Sequence, residues 1–183
     1  PLTLQGEDRE TTIVDGSAGG DVIQVTAHHV TIRGLTVTNG YRGIHSPRSR
    51  LPHHLTIRDV IVTSNAENGV TGYSGGWHVI EDCIISNNGM YGVRVHYFSR
   101  SLIRNCEVFG NRTGIGPGWG WYTLITNNRT YNNSHTGIHL DSFRSSIVEK
   151  NAVWNNASRG IRIVYVASYN TIRDNVVCQN ATG

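Results

Sequence analysis

The sequence predicts an all-β fold in which the chain winds into a parallel β-helix, a solenoid of about eight coils. Three observations predict it. A nine-residue motif recurs with a period near 23 residues, apolar and polar residues alternate within the motif, and Asn or Gly stands where the alternation breaks. A period that persists through seven units indicates a repeat architecture, and no stretch has a convincing helical apolar period.

The motif is clearest at residues 103–111, which Gly114 follows. The other units begin at residues 32, 57, 80, 125, 148 and 172, and their glycines are Gly43, Gly69, Gly92, Gly137, Gly160 and Gly183. The ninth column is Asn in six of the seven units. Asn tolerates a left-handed backbone and its amide can bond a neighbouring segment, so stacked Asn residues are expected at a corner of the coil.

The alternation within one unit gives three short strands. Ile103 points inward and Arg104 outward, the chain turns at Asn105, and Cys106 points inward again; a third strand follows the glycine, as in residues 137–141. Three such strands cannot enclose a core alone. Each can pair in parallel with its equivalent one coil later, about 4.8 Å away.

The chain is predicted to form one domain, residues 1–183, with residues 1–29 as an atypical first coil or cap and regular repeats over 30–183. Terminal repeats usually differ because they close the stack. The sequence ends at Gly183, where the next inward residue is due, and an open coil end exposes unpaired strand edges. We therefore expect a further domain, a cap or an end-to-end contact at the C-terminal coil.

Charge and hydropathy indicate which classes of partner, among nucleic acid, polysaccharide and membrane, suit the chain. The 183 residues carry a net charge of +3, and the basic residues are spread through the repeats. This distribution argues against nucleic acid and suits a weakly anionic polymer such as a polysaccharide. No apolar run approaches the length of a membrane span.

Two columns of the repeat are expected to be structural. Three cysteines, an odd number, argue against a disulfide framework. Cys83 and Cys106 share a column, so we expect them to stack in adjacent coils as small buried side chains; a disulfide between them is the alternative, because the stacking distance is short. Phe109, Tyr131 and Trp154 also share a column, which predicts an aromatic stack.

The outward positions of the third strand are the part of the repeat that core packing does not explain. His139 and Asp141 project from one face, about 7 Å apart along the strand. The equivalent pairs are His45 and Pro47, Thr71 and Tyr73, Arg94 and His96, Gly116 and Gly118, and Arg162 and Val164. The two glycines predict a notch on the order of 10 Å wide between populated coils. Glycine in a strand often marks the approach of a ligand, and a pyranose ring would fit there.

Aromatic and basic residues surround this predicted notch. Trp119 and Trp121 follow the glycines, and Tyr97 and Tyr165 enter the equivalent loops of neighbouring coils. Aromatic faces stack on sugar rings, and arginines pair with carboxylates. The predicted substrate-binding residues are His96, Tyr97, Gly116, Gly118, Trp119, Trp121, Arg144 and Tyr165.

The predicted catalytic residues are His139, Asp141, Arg162 and Arg94, acting on an acidic polysaccharide. A histidine can abstract a sugar proton or protonate a leaving oxygen. The arginines would bind the uronate carboxylate and stabilise enolate-like charge, while Asp141 would orient or tune His139, or act as the acid. These roles describe β-elimination or C5 epimerisation. A glycoside hydrolase would need a second carboxylate near Asp141, for which the sequence offers only a loop residue such as Glu67.

Metal binding is a third alternative, although no metal site or cofactor is predicted. The candidate ligands are the pairs His28 and His29, His53 and His54, and His96 and His139. Neighbouring residues of a strand point to opposite faces, so the adjacent pairs are poor chelates unless they lie in turns.

Units of the form Ile-x-x-Asn-x-Val-x-x-Asn followed by Gly-Ile resemble the right-handed parallel β-helix repeat of the pectate-lyase-like superfamily. Residues 2–7, 15–16 and 30–35 look like the first coils of its carbohydrate-binding and sugar-hydrolysis group, which also includes a periplasmic copper-maturation family. The resemblance covers nearly the whole chain. It implies a right-handed coil and a secreted, periplasmic or cell-surface location, and it suggests calcium only by analogy.

The resemblance does not assign an activity, because lyases, hydrolases, epimerases, adhesins and passive surface proteins share such repeats. The Gly-His-Gly motif of polygalacturonases is absent, and Arg162-Ile163-Val164 only approximates their Arg-Ile-Lys. Where alginate epimerases carry Asp-Pro-His, this chain has His139-Leu140-Asp141. Two classes stay open: an enzyme acting on uronate polysaccharides, and a non-catalytic surface, adhesion or periplasmic accessory module.

Overall fold

A computed structural model describes residues 1–182, which form 22 short strands and no helix. No helix in this range could cross a membrane. The first four coils contain β1 (Leu2–Gln5), β2 (Ile13–Asp15), β3 (Asp21–Gln24), β4 (Val30–Thr38), β5 (Arg42–Ser46), β6 (Thr56–Thr63), β7 (Val70–Tyr73), β8 (Val79–Glu81), β9 (Ile84–Ser86) and β10 (Tyr91–His96). The next four contain β11 (Leu102–Arg104), β12 (Glu107–Phe109), β13 (Thr113–Ile115), β14 (Gly118–Trp121), β15 (Leu124–Thr126), β16 (Arg129–Tyr131), β17 (Ile138–Arg144), β18 (Ile147–Glu149), β19 (Ala152–Trp154), β20 (Ile161–Val164), β21 (Thr171–Arg173) and β22 (Val176–Cys178).

Every strand pairs in parallel with its equivalent in a neighbouring coil, which confirms the predicted parallel solenoid. Ile103, for example, pairs with Ile80 on one side and with Ile125 on the other. Seven turns are complete, and β21 and β22 begin an eighth. The first and second strands of the coils form one bent 14-stranded sheet, because β4 and β6 run unbroken around the first corner. The third strands form a separate 8-stranded sheet, called here the third face.

Stacked aliphatic side chains fill the interior. The inward residues of the first strands are Ile32, Ile57, Ile80, Ile103, Ile125 and Val148, all at most 2% exposed. The column of Cys83 and Cys106 is also buried, with both thiols free, so the predicted stacking is confirmed and the disulfide does not form. Burial, with Cys106 close by, raises the pKa of Cys83 well above its ordinary value, so this thiol is an apolar core side chain.

Buried Asn ladders fix the corner after the second strand, here called the Asn corner. Asn111 Oδ1 accepts hydrogen bonds of 3.0 Å from the backbone N–H and the side-chain amide of Asn88. Asn111 Nδ2 donates to the carbonyl oxygens of Ile85 and Phe109, each at 3.0 Å. The same pattern links Asn65, Asn88, Asn111, Asn133, Asn156 and Asn180 from coil to coil. These bonds satisfy backbone groups that a tight corner would otherwise bury without partners.

The predicted aromatic stack lies on the outer surface of the second strands β12, β16 and β19, called here the second face. The ring centroids of Phe109 and Tyr131 are 5.1 Å apart, and those of Tyr131 and Trp154 are 4.5 Å apart, with nearly parallel planes. Tyr131 also donates its hydroxyl proton to Glu107 at 2.6 Å. Burial, reinforced by this acidic neighbour, raises the pKa of Tyr131 to about 12.

The two ends of the solenoid expose apolar side chains. Leu2 and Ile13 of the first coil are 62% and 58% exposed, and Val176 of the last is 64% exposed. The glycine predicted to follow the last unit, Gly183, lies outside the described residues. The further domain or end-to-end contact stays a prediction.

Candidate functional site

The third face has the register that the repeat predicts. Thr71 pairs with Arg94, and His139 pairs with Arg162. The second outward column runs through Tyr73, His96, Gly118, Asp141 and Val164 in consecutive coils. Parallel pairing therefore brings the four predicted catalytic residues onto one face within four consecutive turns, with the glycine turn between Arg94 and His139.

The glycines do not form the predicted open notch, which is a correction to the sequence analysis. A methyl group on Gly116 would lie 2.7 Å from the Tyr91 ring. One on Gly118 would lie 3.2 Å from His96 Nδ1 and 3.6 Å from Arg94 Nη1. Side chains from the preceding coil lean over both glycines and fill the space. Gly116 leaves room for the Tyr91 ring, whereas a Cβ on Gly118 would displace the side chain of His96 only slightly.

Arg94 is the centre of this arrangement. Its Nη1 donates to the carbonyl oxygen of Gly116 at 2.9 Å, and its guanidinium carbon lies 4.8 Å from the centroid of the Tyr91 ring. Its Nη2 is 3.9 Å from Asp141 Oδ2, in a partly buried ion pair. These contacts hold one positive charge in a fixed place on the third face.

His139 is half-buried beside these charges. Burial lowers its pKa, the positive charges of Arg162 and Arg94 lower it further, and Asp141 opposes them. The imidazole is therefore neutral at neutral pH. Its Nε2 is buried and has no hydrogen-bond partner, which is uncommon for a buried polar atom.

Asp141 does not orient His139 in this structure. Its Oδ1 accepts a hydrogen bond of 3.0 Å from the hydroxyl of the adjacent Ser142, and its other oxygen faces Arg94. Its effect on His139 is through charge alone. Sequence reasoning placed the two side chains on one face but could not settle which groups they bond.

His96 is the second neutral imidazole of the face. It stacks on Tyr73 with a centroid distance of 5.0 Å. Burial, followed by the charge of Arg94, lowers its pKa, and Asp141 acts in the opposite direction. His96 and Arg94 also line a cleft of about 270 Å³ that extends toward the first coils.

The far wall of that cleft is a polar cluster that the sequence analysis missed. Arg42 Nη2 donates to Asp21 Oδ2 at 3.0 Å, and His45 Nδ1 is 2.7 Å from the same oxygen. Arg42 Nε lies 4.0 Å from a carboxylate oxygen of Glu67. Burial acts to raise the pKa of Asp21, but the hydrogen bonds and charges of Arg42 and His45 outweigh it and lower the pKa. The outward column of His45, Thr71 and Arg94 was the available signal.

The predicted aromatic residues form a second pocket at the corner after the third strand. Tyr97, Trp119, Trp121 and Arg144 line a depression of about 200 Å³ together with Gly120, Ser142 and Val166. Trp119 is 56% exposed, and its ring centroid is 6.4 Å from that of Tyr97. Tyr165 is 82% exposed and does not line this pocket. The structure thus brings four of the eight predicted substrate-binding residues together in this pocket.

A separate histidine cluster lies at the same corner in the first coils. His28 stacks on His53 at 3.9 Å, and His29 stacks on His54 at 4.6 Å. His29 and His54 have left-handed backbones, with φ of 55° and 56°, so the adjacent pairs lie in turns. Burial, followed by the charges of the other histidines, lowers the pKa of His53. Adjacent histidines are expected to chelate a metal only if they lie in turns, and the structure places both pairs in turns.

Two family descriptions match the chain. "Right handed beta helix region" matches residues 19–117, and "Periplasmic copper-binding protein (NosD)" matches residues 77–183. Within residues 1–182, the group of three or more His, Cys, Asp or Glu side chains with converging ligand atoms is His29, His53 and His54. This group lies outside the segment that the copper-binding family matches.

Similar solved structures include two modules from Azotobacter vinelandii. The A-module of mannuronan C-5 epimerase AlgE6 is 19% identical over 98% of this chain and 61% of its own, with a TM-score of 0.71. The A-module of AlgE4 is 20% identical over 94% and 60%, with a TM-score of 0.72. The alginate lyase from Paenibacillus sp. str. FPU-7 is 14% identical over 100% and 83%, with a TM-score of 0.66.

These similarities show the fold, and the chain spans about three fifths of the length of the epimerase modules. The family matches each cover more than half of the chain, and they agree with the parallel pairing of every coil. The chain therefore belongs to the right-handed β-helix proteins, in the family described as periplasmic copper-binding protein (NosD).

Proposed function

We propose that the third face and its aromatic corner bind an acidic, uronate-containing polysaccharide and that His139 abstracts the proton from C5 of a bound uronate. The observation that carries the proposal is a neutral, half-buried imidazole on the third face beside two arginines. A base that is neutral at working pH and sits next to fixed positive charge suits the removal of a proton next to a carboxylate.

Binding would use the charges and rings that the chain leaves unsatisfied. Within residues 1–182, Arg162 forms no ion pair, so its guanidinium is free for a uronate carboxylate. Trp119 and Trp121 offer exposed rings to the faces of neighbouring sugars. The pocket that they line adjoins the third face, because Tyr97 directly follows His96 at the end of β10. A chain of several sugars could contact both.

The chemistry is a proton transfer with two outcomes. His139 takes the C5 proton, and the electron pair of the broken C–H bond moves into the carboxylate group as an enolate, which Arg162 and Arg94 stabilise. Return of a proton to the opposite face of C5 gives the epimer. Alternatively, the electron pair forms a C4–C5 double bond, and the C4 oxygen leaves with the proton that His139 has taken from C5.

A hydrolase is disfavoured by the spacing of carboxylates. Glu67 precedes the third strand of the third coil, whereas Asp141 lies in that of the sixth. Three inter-strand spacings separate them by about 14 Å, beyond the range of roughly 6.5–9.5 Å at which a pair of carboxyl groups inverts a glycosidic bond.

A non-catalytic binding module is the second candidate. Three contacts hold Arg94, with the carbonyl of Gly116, the ring of Tyr91 and the carboxylate of Asp141. A guanidinium held by three contacts suits a role in binding or in stability as well as a role in a reaction. The neighbours named as mannuronan epimerases and an alginate lyase support a uronate polymer as the ligand of either candidate. The family's description as periplasmic supports a location outside the cytoplasm.

The test is to incubate the chain with alginate, pectate and other uronate polymers in deuterated water. Deuterium at C5 by NMR detects proton abstraction with either outcome, and ultraviolet absorbance detects an unsaturated elimination product. We expect His139→Ala to abolish the exchange while binding persists. The matched control is His135→Ala, which removes a neighbouring histidine with a similarly lowered pKa.

Binding is measured in parallel by calorimetry with the same polymers. If the chain binds a uronate polymer but neither it nor any variant exchanges C5 hydrogen, the binding module is the function. If no uronate polymer binds, both versions are wrong.

A further inference from the structure

The histidine cluster of the first coils has the geometry of a ligand set. His29 donates its backbone N–H to the carbonyl oxygen of His53 at 3.0 Å, and His54 donates its own to Gly76 at 3.2 Å. Coil pairing thus places the corner residues directly above one another. The left-handed backbones of His29 and His54 turn both side chains out to the same edge.

Three imidazoles converge there. One ring nitrogen from each of His29, His53 and His54 lies within 4.8 Å of the others, and the Nδ1 atoms of His53 and His54 are 2.8 Å apart. Around a cation bound at about 2.0–2.1 Å, nitrogen ligands lie roughly 3 Å apart when adjacent and about 4 Å apart when opposite. The rings need to move by only about an ångström to reach such positions, and they lie on exposed or half-exposed corners.

Neighbouring residues hold the cluster in place. His28 Nδ1 accepts the backbone N–H of His53 at 3.2 Å, and its ring stacks on that of His53. Trp77, from the next coil, stacks on His54 with a centroid distance of 5.4 Å and planes 3° apart. Arg100 covers the other end of this stack, 5.3 Å from the centroid of Trp77. A ligand set of this kind usually has such supporting contacts.

We propose that His29, His53 and His54 bind one divalent transition cation of the zinc, nickel and copper class, and that the site keeps an open coordination position. Three imidazoles suit these metals, whereas calcium and magnesium require oxygen ligands. A three-histidine set on an exposed corner leaves the fourth position to water or to an external donor atom. For both Nδ1 atoms of His53 and His54 to bind the cation, the proton between them must move to the Nε2 of its own ring, which leaves both imidazoles neutral. The proposal rests on these side chains, which precede the segment matched by the copper-binding family.

Calorimetric titration of the metal-free chain with zinc chloride tests the stoichiometry. We expect one zinc ion per chain, and no binding of calcium or magnesium. His54→Ala and His53→Ala should each weaken zinc binding by more than about 100-fold, and His28→Ala, a positioning residue, by about tenfold. His135→Ala is the matched control and should leave zinc affinity unchanged.

Tryptophan fluorescence gives a second readout, which reports where the metal binds rather than how tightly it binds. Because Trp77 stacks on His54, nickel or copper ions should quench its emission, and Trp77→Phe should remove most of that quenching while zinc affinity persists. Circular dichroism checks that each variant keeps its fold. The proposal is overturned if the unaltered chain binds no zinc, nickel or copper, if His53→Ala and His54→Ala bind zinc as well as the unaltered chain, or if His135→Ala loses as much affinity as they do.

Discussion

Two corners of each coil solve the same structural problem with different residues. At the Asn corner, the side chain of one coil accepts the backbone N–H of the coil before it, as Asn111 does for Asn88. At the corner after the third strand, His78 Nδ1 accepts the backbone N–H of Leu55 at 3.0 Å, and Ser101 Oγ accepts that of His78 at 3.0 Å. Both corners satisfy the buried backbone.

The difference lies in what surrounds the buried acceptors. The Asn corner repeats one residue type because the Asn amides also bond one another. The third-strand corner uses separate acceptors, so its outward neighbours are free to vary. The residues that precede its acceptors are Trp77, Arg100, Ser145 and Tyr169, and the equivalent residues of two other coils are His54 and Tyr122; all six have positive φ. A solenoid can therefore vary one edge for binding while another keeps the coils together.

Asn111→Ala is expected to have the largest effect, because it removes one step of the Asn ladder. It leaves the N–H of Asn88 without its side-chain acceptor and removes one donor each from the carbonyls of Ile85 and Phe109, so the free energy of unfolding should fall by about 4 kcal/mol. Asn132→Ala, on the exposed left-handed position nearby, should cost only about 1 kcal/mol. Urea denaturation measures both, and equal losses would show that the ladder does not carry the stability of this corner.

Lowering the pH should destabilise the fold through His78, the buried acceptor at the corner after the third strand. Burial lowers the pKa of His78 to about 4, so the unfolded chain takes up a proton near pH 6.5 that the folded chain refuses. Stability is then complete above pH 6.5 and should fall by about 3 kcal/mol as the pH drops to 4. His78→Asn should show a smaller loss between pH 7 and 4. An unchanged slope would assign the acid sensitivity to other groups.

Substitutions at two glycines of β14 distinguish a residue that the core requires from one that lies at the candidate site. A methyl group on Gly120 would lie 2.5 Å from the carbonyl oxygen of Phe98 and 2.7 Å from Phe143, so Gly120→Ala should destabilise the fold by about 2–3 kcal/mol. Gly118→Ala meets only the movable side chains of His96 and Arg94 and should cost less than about 1 kcal/mol. It should instead disturb polymer binding. Thermal unfolding ranks the pair, and a larger loss for Gly118→Ala would refute the assignment.

Substitutions at two tryptophans are expected to have the smallest effects. Trp119→Ala should weaken uronate-polymer binding by about 1 kcal/mol with little change in stability, because its ring is exposed beside the pocket. Trp154→Ala should cost about 1 kcal/mol of stability through lost stacking on Tyr131, with binding unchanged. Calorimetry and urea denaturation distinguish them. A reversed outcome would place the ligand on the second face.

The sequence by itself determined the coil. Parallel pairing makes every residue stack on its equivalent one period later, so the columns read from the sequence became the Ile stack, the Asn ladder and the Phe109–Trp154 ring stack. The same logic placed Arg94, His139, Asp141 and Arg162 on one face. Periodicity fixes which face a side chain leaves from, because a strand alternates regularly.

Only the tertiary structure decided where those side chains go afterwards. Tyr91, Arg94 and His96 lean across a coil to cover the glycines, which removes the predicted notch. The turns at the third corner bring His29 toward His53 and His54, although adjacent histidines in a strand would diverge. Rotamers of long side chains and the path of irregular corners depend on contacts between coils, and such contacts leave no period in the sequence.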